Sequence, residues 1–484
     1  MTEKKRIGQR KNMFNNERAL VMGIGLHGGG VATTLWLVRH GAKVTATDKR
    51  DRAALVPSLN ALKHLPIRYV LGKHKMKDFI SHDMIVVNPG VPRESEYLAA
   101  AKKHHVRIEN DASLFFRHIS NPIIAVTGTR GKTTTTFWIA ALLKKKYKNV
   151  LPSGNTPDNA FLKEFERVYG KSDPVIAEMS SWQLELLPVS GRAPHIAVIT
   201  NLYPDHLNRY KGIKEYANAK ANIFLDQHPD DFLILNHDNK WTPRYLKKKP
   251  KGIVLYFSTR ALPKTKNGVF ISNGVMYFQF DGVRQRLVNV RRFVKAHGEH
   301  NLENLLAAML AVKLFDPSVS ILERDILHLS SPRMREEIIV NTKNLIVVND
   351  SCATSPDGTI AALQRFAKLG DVVLIAGGTD KELEFAGLAE AIKKYVARDD
   401  LVLLEGTATD RMLKKLGSLY GKASQMSTLK ACVLLALDIA RTKKKKTILL
   451  FSPGAASFGK FLHEFDRGEQ FNKLVRTQIK KTTR

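Results

Sequence analysis

A lysine and a threonine at the mouth of a helix carry the clearest chemistry in this chain. In the stretch AVTGTRGKTTTTFWIA, residues 125–140, an apolar strand runs into a tight Gly-Thr-Arg-Gly turn and then a threonine-rich helix start. Backbone N–H groups in such a turn, with the positive end of the helix dipole, bind polyphosphate. Lys132 would reach the outer phosphates, and the Thr133 hydroxyl would ligate Mg²⁺. The spacing departs from G-x-x-x-x-G-K-[ST], because Val126 stands at the first glycine position and a glycine appears at 128 instead. A plain strand–turn–helix junction needs glycine but not the triplet Gly131-Lys132-Thr133, so a nucleotide site is expected.

Two further groups could serve the same centre. Glu178 closes the apolar run PVIAEM. A carboxylate at a strand end suits a Mg²⁺ ligand beside Thr133, or it simply faces solvent. His206 follows Pro204-Asp205 behind the run IAVIT, as a second metal ligand, a polar contact or a satisfied loop histidine. A third candidate lies near the N-terminus, where GIGLHGG fits G-x-G-x-x-G at residues 23, 25 and 28 and Asp48 ends the next strand. That pattern suits a phosphate at a helix N-terminus and an acid on a ribose, and alone it leaves a dinucleotide or another nucleotide open.

These side chains need strands and helices to hold them. Apolar runs alternate with helical patterns throughout, so the fold class is α/β with three domains. The expected bounds are 1–119, 120–331 and 332–484. The first holds the strand at 19–22, the glycine turn, a helix, the strand AKVTATD and a further strand at DMIVVNPGVP. The second holds the phosphate loop, a β-rich part with hairpins near 250–290 and a helix at 297–315 capped near Asn301. The third has strands at 345–350, 372–378, 401–406 and 447–454, each ending in small or polar residues at the edge where such folds bind ligands.

Composition narrows the classes. The chain has 484 residues, 44% hydrophobic and 25% charged, which is ordinary for a globular protein. No apolar run is long enough to span a membrane, and the basic N-terminus lacks the apolar core of a signal peptide. Only Cys352 and Cys432 occur, which fits a reducing cytoplasm without a disulfide framework. The formal charge of +32 invites a nucleic-acid reading. The lysine runs at 144–148, 246–251 and 441–447 are scattered and not interleaved with aromatics, so no nucleic-acid partner is expected.

Several strings, in the right order and over nearly the whole chain, resemble the Mur ligases, which join amino acids to peptidoglycan precursors. GTRGKT (128–133) resembles their nucleotide loop G-T-x-G-K-[ST], which accounts for the missing first glycine. AEMSSWQLE (177–185), NLYPDHLNRY (201–210), YANAKANIF (216–224), GEHNLEN (298–304), NDSCATS (349–355), GGTDKELEF (377–385) and SPGAASFGKF with RGEQF (452–471) resemble further family strings. SSWQLE, NLYPDHL and GGTDKELEF point within the family to the branch that adds D-glutamate to UDP-N-acetylmuramoyl-L-alanine, and SSWQLE disfavours folylpolyglutamate synthase.

The resemblance implies an ATP-dependent ligase working through an acyl phosphate, with two Mg²⁺ sites, a Rossmann-like UDP-binding domain, a P-loop ATPase-like centre and a Rossmann-like C-terminal domain that closes over it. It implies ATP contacts at Gly128, Thr129, Gly131, Lys132, Thr133, Thr134, Asn301, Asn304, Arg335 and Asp350, the last at the ribose. Lys132, His206 and Lys220 would be catalytic, and Lys220 would carry a carbamate that joins Thr133, Glu178 and His206 at the metals. The UDP-sugar would meet Leu26, His27, Asp48, Lys49, Arg50, Asn88, Gly90 and Asn155, and the pyrophosphate explains Lys49 and Arg50 better than a nicotinamide cofactor does. D-Glutamate would meet Thr354, Lys381 and Ser457. A monomer is expected. The chain departs from the family at Cys352, which replaces a lysine, at Met334, which replaces a histidine, and in FLHEFDRG, whose phenylalanine comes one place late. Rival classes are another Mur-type ligase with a different amino acid or carrier, a nucleic-acid ATPase and a dehydrogenase.

Overall fold

The computed structural model describes residues 13–482 except 27, 93, 155–158, 207–208 and 421–422. Among these residues three sheets form. The first has five parallel strands in the order Arg68–Leu71, Lys43–Asp48, Arg18–Met22, Met84–Val87 and Arg107–Glu109. The order reverses at Arg18–Met22, so the ends of that strand and of Met84–Val87 open onto a switch-point crevice, the usual ligand position of such sheets. The glycine turn and the Asn88-Pro89-Gly90 turn both lie there.

The second sheet has nine strands. Its order is Val283–Asn289, Val275–Phe280, Gly268–Ser272, Ile253–Ser258, Phe232–Asn236, Ile196–Ile199, Ile123–Thr127, Val175–Glu178 and Pro152–Gly154. Seven strands run parallel, and the last two in sequence add an antiparallel meander. The expected hairpins turn at Asn273-Gly274 and Asp281-Gly282, dipeptides suited to two-residue hairpin loops. The phosphate-loop helix Lys132–Leu143 and the helix Leu302–Phe315 share one core through Trp138, Ile139, Leu143, Leu305, Leu306 and Met309. Leu302–Phe315 is apolar on nearly all sides, as a buried helix must be. The helix expected from 297 begins instead at Leu302. Gly298 takes φ 83° and separates it from a preceding helix, Arg291–His297.

The third sheet runs Glu337–Asn341, Leu345–Asn349, Thr447–Phe451, Asp371–Gly377, Leu401–Leu404 and Ser424–Met426, parallel except for the first pair. Helices cover both faces. One core is built on Leu363, Phe366, Leu388 and Ile392, the other on Val433, Leu437, Phe471 and Val475.

The chain separates into two compact units. One comprises the chain through Val294 plus Asn301–Leu329, and the other comprises Lys295–His300 plus Ser330 onward. The first unit holds two sheets because they share a core. Trp36 packs edge-on to Phe165 and Phe115 packs against Phe161, joining helices of the first sheet to a helix of the second.

Candidate active site

The turn after strand Ile123–Thr127 is shaped by what crowds it. A Cβ on Gly128 would collide with Thr200 Oγ1, and one on Gly131, at φ 79°, would collide with Asn304 Oδ1. Thr200 Oγ1 donates to the Arg130 carbonyl at 2.6 Å, and Arg130 N–H donates to Asn201 Oδ1 at 2.9 Å. Thr129 N–H donates to the Asn201 carbonyl at 3.0 Å. Thr200 and Asn201 end the neighbouring strand, so the sheet itself fixes the loop. The helix then starts at Lys132, and its first N–H groups lack intrahelical partners. Lys132 Nζ curls back to donate to the Thr129 carbonyl at 3.2 Å. Asn304 accepts from Thr135 Oγ1 at 3.4 Å and donates to Asn301 Oδ1 at 3.0 Å, which brings both expected asparagines to the loop. Thr134 lies half-buried in the helix's first turn.

The Thr133 hydroxyl donates to Glu178 Oε1 at 3.1 Å, and Glu178 is buried at its strand end rather than open to solvent. Lys220 is 1% exposed, which excludes a surface lysine. Its Nζ donates to the Gly128 carbonyl at 2.8 Å and to Thr127 Oγ1 at 3.3 Å, and lies 4.6 Å from the centre of the Tyr216 ring. Burial pushes its pKa well below the usual lysine value; the Lys132 charge pushes the same way, and Asp205 pulls back. His206, at φ 52°, packs its ring against Trp182 and Tyr216, so it borders the same tyrosine as Lys220. Among the described residues no group of three or more His, Cys, Asp or Glu side chains converges on a metal position.

The string SSWQLE turns out to be a junction. Gln183 Nε2 donates to Asp111 Oδ2 at 3.1 Å, and Asn110 Nδ2 donates to the Gln183 carbonyl at 2.9 Å, reaching the first sheet. Burial raises the Asp111 carboxyl to about 6, against the Gln183 hydrogen bond. Glu185 takes both Arg209 Nη2 at 2.8 Å and the Tyr210 hydroxyl at 2.6 Å. Arg209 lies over the Trp182 ring and donates to the Val91 carbonyl at 3.2 Å, in the turn after the fourth strand. Trp182 therefore contacts both His206 and Arg209. Arg209, Glu185 and Gln183 are functional candidates that the sequence alone did not mark. The carboxylate–arginine pair carried the only signal, and its two halves lie on different elements.

In the first sheet, Asp48 Oδ2 accepts from Gly25 N–H at 3.1 Å and Oδ1 accepts from Arg50 N–H at 3.0 Å. Leu26 is half-buried beside that turn, and Lys49 and Arg50 are exposed beyond it. Asn88 Oδ1 caps Gly90 N–H at 3.2 Å. His27 and Asn155 lie outside the described residues.

In the C-terminal unit, Asp350 is buried. Its Oδ2 accepts from Ser452 Oγ at 2.6 Å and its Oδ1 from Glu336 N–H at 3.0 Å. Burial, with the Glu336 charge, raises its carboxyl to about 7, and Arg335 pulls it down. Ser457 is buried, Thr354 is half-buried, and Lys381 is exposed with its ammonium 5.3 Å from the Phe458 ring centre. Cys352 is buried and its thiol is pushed up to about 12 by burial, with Arg335 and Arg467 opposing. Arg467 is fully buried and donates to the Ser351, Ala455 and Ala456 carbonyls, pinning together the two strings that carry Thr354 and Ser457.

Residues 126–312 match the Mur ligase middle domain, and residues 17–110 match the MurD-like N-terminal domain of Mur ligases. A UDP-N-acetylmuramoylalanine–D-glutamate ligase of Roseiflexus sp. (strain RS-1) is 36% identical over 95% of this chain and 98% of its own. One of the same name from Borreliella afzelii (strain PKo) is 35% identical over 96% and 99%. The chain belongs to the Mur ligase family. Among solved structures, the UDP-N-acetylmuramate-alanine ligase MurC of Thermotoga maritima superposes with a TM-score of 0.59 at 19% identity, covering 96% of this chain and 99% of that one. The MurF ligase of the same organism in complex with ADP gives 0.53 at 16% identity, over 90% and 96%. These two show the shared fold, so the three-sheet α/β architecture expected from the sequence is that of a Mur ligase.

Proposed function

We propose that this Mur ligase uses ATP to join D-glutamate to UDP-N-acetylmuramoyl-L-alanine. The observation that carries the reading is the crowded phosphate loop with Lys132, Thr133, Glu178 and Lys220 gathered about it. The near-full-length relatives of that name supply the substrates. A carboxylate oxygen of the L-alanyl group attacks the γ-phosphorus, ADP leaves, and the amine of D-glutamate then displaces phosphate from the acyl carbon. Lys132 and the helix N-terminus meet the charge of the phosphoryl group in transit.

Mg²⁺ fits the residues present. The Thr133 hydroxyl and the Glu178 carboxylate are hard oxygen donors within hydrogen-bond distance of each other, and a site with few protein ligands suits an ion that keeps waters and phosphate oxygens. When bound it neutralises phosphate charge. Lys220 is read as a carbamate. A buried amine whose pKa is lowered well below the usual value gives up its proton more readily and is then nucleophilic toward CO₂, and the product is an anion next to Lys132. His206 flanks that position through Tyr216.

The functional division kept from the sequence is a UDP-sugar domain at 1–119, an ATP domain at 120–331 and an amino-acid and ATP domain at 332–484. Asp48, Arg50, Asn88 and Gly90 are assigned to the UDP-sugar, Arg335 and Asp350 to the nucleotide, and Thr354, Lys381 and Ser457 to D-glutamate. No helix among the described residues is long and apolar enough to cross a membrane. The test is ADP release with UDP-N-acetylmuramoyl-L-alanine across a panel of D- and L-amino acids. Turnover with D-glutamate alone is expected, and preference for a neutral or L-amino acid overturns the assignment.

A further inference from the structure

The loop that carries Arg335 holds two non-glycine residues in the left-handed region, Met334 at φ 59° and Glu336 at φ 48°. That conformation is costly for such side chains and persists where surrounding contacts over-determine it. Here they do. Met334 N–H donates to Glu337 Oε2 at 2.9 Å, and the Met334 carbonyl accepts from Cys352 N–H at 3.0 Å. Glu336 N–H donates to Asp350 Oδ1 at 3.0 Å. The Glu336 carboxylate is clamped between Arg365 Nη1 at 2.6 Å and His300 Nε2 at 3.2 Å, and Arg365 also donates to the Ala296 carbonyl at 3.1 Å. The Glu336 and Arg365 side chains are 11% and 8% exposed.

We infer that Glu336 is a positioning residue for nucleotide binding in the C-terminal unit: its N–H aims the Asp350 carboxylate, and its side chain anchors the 295–300 segment. The inference rests on the reading of Asp350 as a nucleotide contact. A buried carboxylate beside a second one is a poor choice for packing alone, because an apolar side chain of similar volume would fill the space without repulsion. Two partners keep Glu336 ionised: burial would raise its pKa, yet the hydrogen bonds and charge interactions with His300 and Arg365 bring it below the usual value. The groups facing Asp350 are Glu336, which disfavours its charge, and Ser452 and Arg335, which favour it. Cys352 and Arg467 also interact with Asp350 electrostatically. The balance leaves Asp350 titrating at about 7, where it changes between a donor and a two-oxygen acceptor for ribose hydroxyls.

The test is ADP affinity by calorimetry and KM for ATP between pH 6 and 9, in wild type and in Glu336→Gln, Glu336→Asp and Asp350→Asn. Glu336→Gln should weaken ADP binding at pH 8 about five-fold or more, with KM for the UDP-sugar within two-fold. It should also move the acid-side rise in KM for ATP to lower pH, since a like charge next to Asp350 is gone. Glu336→Asp, which keeps the charge and tolerates positive φ, should restore the wild-type pH limb. If Glu336→Gln does not fold, His300→Ala removes one clamp and should weaken ADP binding about three-fold. An unaltered ADP affinity in Asp350→Asn overturns both this inference and the assignment of Asp350. A weakened Asp350→Asn beside a Glu336→Gln with wild-type affinity and pH limb overturns the inference alone.

Discussion

Lys220 and Asp350 are both buried, both ionisable and both displaced toward neutrality, Lys220 downward and Asp350 upward. Burial is the first cause in each, and a like charge reinforces it in each, Lys132 for the lysine and Glu336 for the aspartate. Their compensation differs. Asp350 has two donors and, through Glu336, a buried network with His300 and Arg365. Lys220 has two neutral acceptors and an aromatic face. The aspartate site is built to operate with its charge adjustable. The lysine site holds an amine whose cationic form is poorly matched to its neighbours, which is the condition for converting it chemically or balancing it with ligand charge.

The largest effect should come from the lysine of the phosphate loop, whose charge bears on Lys220. On the proposed reading Lys132→Ala removes the cation that meets the transferring phosphoryl group, and loss of such a group typically costs about 3–4 kcal/mol, on the order of 10²–10³ in kcat. ADP release should fall by at least that much while calorimetric affinity for the UDP-sugar stays within two-fold, because Asp48 and Asn88 are on another sheet. Near wild-type turnover defeats the phosphate-loop assignment.

Lys220 sharpens the comparison next. Lys220→Ala should be inactive, and wild-type activity should fall on CO₂ depletion at low pH and recover with bicarbonate. A second readout needs no turnover. With its folded pKa below the unfolded one, Lys220 lets the unfolded chain bind more protons, so its contribution to stability falls as pH drops below about 10.4. In CO₂-free buffer, where Lys220 is an unmodified amine, Lys220→Met should therefore raise Tm, and more at pH 7 than at pH 10. A Tm gain that is equal at both pH values removes the buried-amine argument.

Asp350 has the opposite sign. Its folded pKa, about 7, stands above the reference carboxylate value, so the folded state binds more protons and stability drains away as pH rises between about 4 and 7. Asp350→Asn should flatten that slope, so that its Tm relative to wild type improves from pH 5 to pH 8. A parallel pair of Tm curves contradicts the raised value.

How much of this was legible in the sequence depended on whether partners are neighbours along the chain. Gly131, Lys132 and Thr133 read correctly as a loop and helix start because three consecutive residues carry the signal. The hairpins near 250–290 were expected as a group, and the structure turns them at Asn273-Gly274 and Asp281-Gly282. Glu178 was read from its place at the end of an apolar run and Lys220 from a family string, and only the fold shows that Lys220 is buried on the Gly128 carbonyl. Glu336, Arg365 and His300 lie far apart along the chain, as do Gln183 and Asp111, and no local period marks such contacts. The helix start was misplaced because Gly298 sits inside an otherwise helical run.

The smallest effect concerns Cys352, where the family has lysine. Adding that lysine back looks like restoring a cation to the D-glutamate pocket, but the structure gives the position a different neighbourhood. Cys352 is buried, and Arg335 and the fully buried Arg467 already act on it. An ammonium there would be desolvated beside two guanidinium groups, with Glu464 as the opposing charge. Cys352→Lys should therefore lower Tm by a few degrees, as expected for about 1 kcal/mol or more in a domain of this size. It should leave the KM for D-glutamate within about two-fold. A several-fold drop in that KM without loss of Tm means the side chain reaches the pocket rather than the core, and position 352 then joins Thr354, Lys381 and Ser457 as a substrate contact.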